Sequence, residues 1–91
     1  MLNLLWRKQA RDDLNGIAAY VAEWNEAAAD QLVNRIEEAA LSLLDFPYRG
    51  QSGRQAGTRE LLAHPNYWLI YRVRLDCIEI ATILHARQEY P

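Results

Sequence analysis

The chain has 91 residues, 51% of them apolar, and a formal charge of −2, a size that allows one domain with a single core and rules out a second. Residues 1–45 carry four basic groups against eight acids and residues 46–91 six arginines against four acids, so no global basic field announces nucleic acid or a membrane. A lone Cys77 excludes an internal disulfide and fits a reducing compartment, the short apolar start before Arg7 and Lys8 has the wrong length and charge order for a signal peptide, and no run approaches the ~18 apolar residues of a membrane span, so the expectation is a cytoplasmic protein.

Residues 2–6 are an apolar run that stops at charge, which predicts a strand. From Arg7 the period changes. Ala10, Leu14, Ile17, Ala18 and Val21 fall on one helical stripe, with Arg11, Asp12, Asn15 and Glu23 on the other side. Gly16 inside this helix costs about 1 kcal/mol relative to Ala, which close packing against a neighbour would offset. The break falls at Trp24, Asn25 and Glu26, where Asn25 suits an N-cap, Glu26 suits the positive end of the helix dipole, and Trp24 reads as a staple beneath the turn or, second, as a target contact. A second helix over residues 26–45 would be about 30 Å long. Its stripe is Leu32, Ile36, Ala39, Ala40, Leu43 and Leu44, and Pro47 ends it. The many alanines let the two helices approach as an antiparallel hairpin.

Residues 48–57 contain Gly50, Gly53 and Gly57 with Arg49 and Arg54 between them, a loop by composition. Three runs rich in β-branched and aromatic residues follow, at 57–63, 67–74 and 77–84, separated by short breaks, and predict an antiparallel meander. Parity places Leu69, Tyr71 and Val73 on one face and Trp68, Ile70, Arg72 and Arg74 on the other. In the last strand it sets Ile78, Ile80, Thr82 and Leu84 against Glu79, Ala81, Ile83 and His85. The face bearing Arg72, Arg74, Glu79 and His85, continued by Arg87, is the expected solvent side, partly basic and open to a ligand. The fold class is α+β: β-α-α-β-β-β, a helical hairpin packed on one face of a small antiparallel sheet, in a single domain of residues 1–91.

That order, with Ala28, Ala29, Leu32 and Ile36, then Phe46 and Pro47, Gly50, Gly53 and Arg54, the run Gly57 to Leu61, Tyr67, the run Tyr71 to Val73, and the run Ile83 to Arg87, resembles the RelE/ParE toxin superfamily, and its ParE branch in particular. The likeness covers essentially the whole chain. It implies the toxin of a type II toxin–antitoxin module, of the plasmid-stabilisation kind, neutralised by a small DNA-binding antitoxin with a flexible tail. ParE-like members poison DNA gyrase and do no known chemistry of their own, whereas RelE-like members cut mRNA in the ribosomal A site. Arg59 and Arg87 match two basic RelE positions, but Leu61 and Trp68 stand where RelE-like proteins carry basic groups, which favours gyrase over the ribosome. A non-toxic co-repressor subunit of a toxin–antitoxin complex is a third reading.

On the RelE reading the catalytic set would be Arg59, His85, Arg87 and Tyr90, since cleavage by the 2′-hydroxyl needs a base, a cation and a proton donor. On the ParE reading Arg54, Arg59, Trp68, Arg87 and Tyr90 would form a cationic, target-binding edge. Each of these has an ordinary alternative: His85 as a structural residue at a strand end, the arginines paired with Glu60, Glu79 or Glu89, and Trp68 packed against its neighbours. The helix-stripe residues Leu14, Ile17, Leu32 and Ile36 are the expected antitoxin-binding surface. The sequence carries no phosphate loop, nucleophile elbow or metal motif, so no cofactor or metal is expected.

Overall fold

The two helical stripes build α1 (Lys8–Ala22) and α2 (Glu26–Asp45) in a computed structural model that describes residues 2–87. Asn25 caps α2 as its composition suggests, its Oδ1 accepting from the Ala28 N–H at 3.0 Å. The strands are β1 (Asn3–Trp6), β2 (Gln51–Ser52), β3 (Arg59–His64), β4 (Tyr67–Val73) and β5 (Cys77–His85). They form one sheet in the order β1-β5-β4-β3-β2. The core lies between the helices and one sheet face: Ala10, Ile36, Ala40 and Leu43 meet Leu61, Leu69, Tyr71, Ile78 and Ile80. Each fully buried Ile or Leu contributes about 1.5–3 kcal/mol, so this layer is the main source of stability.

The sheet departs from a plain antiparallel meander at a register shift in β3, where Leu62 pairs with Trp68 and His64 with Tyr67, and in three further places. First, β1 lies parallel to β5, with Leu4 opposite Ile78 and Trp6 opposite Ile80, so the sheet is mixed. Second, Gln51 and Ser52, inside the expected loop, pair with Glu60 and Arg59 as a short edge strand. Third, β5 is bulged. Ile70 pairs with Thr82 but Tyr71 pairs with Ile80, leaving Ala81 without a partner. Side-chain parity flips at that point. Ile83 enters the core opposite Leu69, and His85 comes to the helix side opposite Tyr67, not to the solvent face beside Glu79. Leu84 moves to the outer face opposite Trp68.

Asp13 of α1 holds the bulge. Its Oδ2 accepts from the Thr82 hydroxyl at 2.5 Å and from the Ile83 N–H at 3.0 Å, on the stretch of β5 that β1 no longer covers. Two local expectations fail. A Cβ at Gly16 would meet nothing within 4 Å, so no close packing offsets that glycine. Trp24 is 78% exposed at the hairpin tip and staples nothing. Among the described residues no helix is long and apolar enough to cross a membrane.

Candidate functional site

The outer sheet face, opposite the helices, is built in rows by the strand register. Leu62, Trp68 and Leu84 lie side by side across β3, β4 and β5; Glu60, Ile70 and Thr82 make the next row. Further along, Arg72 stands opposite Glu79, which in turn stands opposite Leu5 of β1. One end of the face is therefore apolar and the other charged. Glu60 and Glu79 are buried, at 3% and 6% exposure, and both are paired as burial of a carboxylate requires. Glu60 accepts from the Arg54 N–H at 3.0 Å and from Arg54 Nε at 3.4 Å. Glu79 is met by Arg7 at 3.3 Å, Arg74 at 3.4 Å and Arg72 at 3.9 Å. Parity alone puts Arg72, Arg74 and Glu79 on one face, but it shows neither the arrival of Arg7 nor the Arg54–Glu60 pair.

On the helix side, the loop after α2 is tied down by Tyr71 and Arg59. The fully buried Tyr71 hydroxyl donates to the Pro47 carbonyl at 2.8 Å and accepts from the Gly50 N–H at 3.0 Å. Arg59 Nη2 donates to the Gly50 carbonyl at 2.6 Å and the Tyr48 carbonyl at 3.3 Å, and its guanidinium lies 5.3 Å from the centre of the Tyr48 ring. Its Nε is buried with no hydrogen-bond partner. Arg59 thus fastens the loop instead of standing on an open cationic edge. It is also far from His85 of the expected catalytic set: Arg59 pairs with Tyr71 and His85 with Tyr67, so four residues of β4 and two strand spacings put them roughly 16 Å apart.

This difference gives an expected result. Arg59→Ala should lower the melting temperature, since it removes two charged hydrogen bonds and leaves the Tyr48 and Gly50 carbonyls in need of partners. Arg87→Ala, at an exposed position past β5, should leave it unchanged. Thermal melts of the two variants check this, and equal stability would mean that Arg59 is not a structural tie.

His85 meets the Tyr67 ring edge-on at 5.3 Å, and Tyr67 stands 5.8 Å from His64. The Arg87 N–H donates to His85 Nδ1 at 3.1 Å. Between α1 and the open edge of β5 lies a cleft of about 700 Å³ lined by Gln9, Asp12, Asp13, Tyr20, Tyr67 and His85. Among the described residues no group of three or more His, Cys, Asp or Glu could hold a metal ion.

His64 titrates below the ordinary histidine value of 6.5, first because partial burial disfavours the imidazolium and second because Arg35 repels it. Its Nδ1 accepts from the Asn66 N–H at 3.0 Å, which also requires an unprotonated Nδ1. With the folded value depressed, the unfolded chain takes up the proton first as pH falls. The stabilisation is full above the unfolded value and is lost as pH drops through the folded one. The melting temperature should therefore fall as the pH drops below the ordinary histidine value of 6.5, and His64→Gln should flatten that fall.

The helix stripes are spent on the sheet. Ile36 is 0% exposed in the core, and Leu14, Ile17 and Leu32 pack against it. Exposed apolar side chains outside the stripes include Leu41, Phe46 and Tyr48, at 54%, 67% and 67% exposure, grouped around the end of α2, while Leu5, Tyr20, Trp24, Leu62 and Leu75 are exposed elsewhere. Leu41, Phe46 and Tyr48 escaped the sequence reading because they fall outside the periodic stripe. Trp68 is half-buried between Leu62 and Leu84 on the outer face, Arg54 is held at Glu60, and Tyr90 lies outside the described residues.

The family model of the ParE toxin of the type II toxin–antitoxin system parDE matches residues 4–90. Y4kP of Sinorhizobium fredii is 39% identical over 87 residues, covering 94% of this chain and 90% of that protein. Toxin RelE2 of Caulobacter vibrioides is 34% identical over 86 residues, covering 94% of this chain and 97% of that one. In structure, a chain of the chromosomal ParDE system from P. aeruginosa superposes with a TM-score of 0.83 at 26% identity, over 93% of this chain and 96% of that chain. The chain is thus a member of the ParE toxin family, within the ParE/RelE toxins of type II toxin–antitoxin systems.

Proposed function

We infer that this chain is a ParE-type toxin that binds and stalls DNA gyrase in the cytoplasm, does no chemistry of its own, and is neutralised by a cognate antitoxin. The observation that carries the reading is the placement of Arg59. Acid–base cleavage of RNA requires a cation, a base and a proton donor around one phosphate. The Arg59 guanidinium is occupied by the Tyr48 and Gly50 carbonyls, on the far side of β4 from His85. Leu61 is buried in the core and Trp68 packs in the outer apolar row, so neither position offers a basic group. Target contact falls to Trp68, Arg54, Arg87 and Tyr90, with Arg59 fastening the loop at Tyr48 and Gly50. The ParDE relative is described as a toxin–antitoxin system, which supports an antitoxin partner here, and Leu41, Phe46 and Tyr48 are the apolar surface it would cover.

The ribosome is the second reading, favoured by the contact between His85 and the Arg87 backbone and by the RelE name of the Caulobacter relative. A reconstituted translating ribosome separates the two. The expected result is no A-site mRNA cleavage above background, together with accumulation of linearised plasmid when the protein is added to gyrase, supercoiled DNA and ATP. Cleavage in the A site that disappears with Arg87→Ala would transfer the function to the ribosome and make His85 the leading acid–base group.

A further inference from the structure

The buried Glu79 gathers three arginines from three separate parts of the chain. Arg7 comes from the junction of β1 and α1, Arg72 from β4, and Arg74 from the turn after it, at 3.3, 3.9 and 3.4 Å from the carboxylate. One carboxylate neutralises one guanidinium, so the cluster keeps an excess of two positive charges on a protein whose total is −2. Asp76, fully hydrated on the β4–β5 turn, reduces that excess only through water. The neighbouring Lys8 is already paired with Asp12 at 2.7 Å and adds nothing. The Glu79 side chain is 7% exposed while those of Arg7, Arg72 and Arg74 are 58%, 31% and 53% exposed. The carboxylate sits beneath the arginines, hydrogen-bonded to Arg7 and Arg74 and ion-paired with Arg72, and all three arginine side chains stay partly open to solvent.

We propose that Arg7, Arg72 and Arg74, held in place by Glu79, form a binding site for a phosphate group of a nucleic-acid backbone on the β1-β5-β4 end of the outer sheet face. Arginine's planar fork donates two parallel hydrogen bonds to phosphate oxygens, and heads already gathered at Glu79 lose less side-chain freedom on binding than dispersed ones. The site reads no base, because only backbone-directed cations converge there. It is separate from Arg54, Arg59 and Arg87 and needs neither gyrase nor the ribosome, so its failure leaves the gyrase reading standing.

The test is a fluorescence-anisotropy titration of the full chain with a labelled DNA duplex and the matching single strand, from about 50 mM salt upward. Arg72→Gln with Arg74→Gln should weaken binding roughly tenfold at low salt and reduce the slope of log K against log salt by about two. Arg11→Gln with Arg35→Gln removes the same charge elsewhere and should stay within about twofold of wild type. Arg7→Gln, at the most exposed of the three, should lose about one unit of slope and guards against a double variant that fails to fold. Inorganic phosphate added at constant ionic strength separates the sources: displacement of the oligonucleotide shows that a free phosphate fills the site, and no displacement shows that the spaced phosphates of a backbone are required. Equal weakening in both double variants would overturn the proposal, as would absence of oligonucleotide binding by the wild type. A variant that keeps oligonucleotide affinity but loses its antitoxin would overturn it in favour of an acidic protein surface.

Discussion

Gly50→Ala is expected to destabilise the fold by roughly 2–3 kcal/mol, the upper range for forcing extra atoms into a packed site. A Cβ at Gly50 would stand 2.7 Å from the Glu60 carbonyl oxygen and 2.8 Å from the Tyr71 hydroxyl. Neither neighbour is a flexible tip. The Glu60 carbonyl belongs to the β3 backbone, and the Tyr71 ring is fully buried in the core. The same knot is reached from the other side by Tyr71→Phe, which keeps the ring but leaves the Pro47 carbonyl and the Gly50 N–H without their partner, at a cost of about 1–3 kcal/mol. Because both changes break one network, the double variant should lose less than the sum of the two. Urea unfolding measures all three, and additive losses would show that Gly50 and Tyr71 act independently.

The second large effect concerns the partner. Leu41→Asp combined with Phe46→Asp should weaken antitoxin binding roughly a hundredfold while leaving the melting temperature near wild type, since interface anchors of this kind contribute several kcal/mol in favourable cases. Both side chains are more than half exposed, so charge there is hydrated in the free toxin. Leu32→Asp is the informative contrast. Leu32 packs against the core, and a charge there should lower stability first and antitoxin affinity only as a consequence. Unchanged affinity in the Leu41/Phe46 variant would place the antitoxin on another surface.

The contrast between Leu32 and Leu41 shows where the sequence was legible. Helix periods, the Asn25 cap and the strand runs are local signals, and each appears where its residues predict it. The stripes also identified the apolar faces correctly, but a stripe alone does not say whether it meets a sheet or a partner. With a sheet to cover, Leu14, Ile17, Leu32 and Ile36 went inward. The β5 bulge is a non-local feature. It exists because Asp13 of α1 and the register of β4 fit an extra residue at Ala81, and nothing in the run from Cys77 to His85 announces it. Once parity slips there, His85 changes face, and the expected grouping of His85 with the outer arginines dissolves. Arg59 shows the same limit in another form. Its residue type suited a phosphate, but the loop carbonyls at Tyr48 and Gly50 reach it first.

The proposed binding to gyrase and the alternative cleavage of mRNA differ in their first effect on a cell. Pulse labelling of cells within minutes of induction separates them most directly, with DNA-damage signalling followed in the same culture. Gyrase poisoning should give DNA damage and filamentation while amino-acid incorporation continues, and both effects should vanish when the antitoxin is co-expressed. A rapid stop in protein synthesis before any DNA damage would contradict the proposed binding to gyrase.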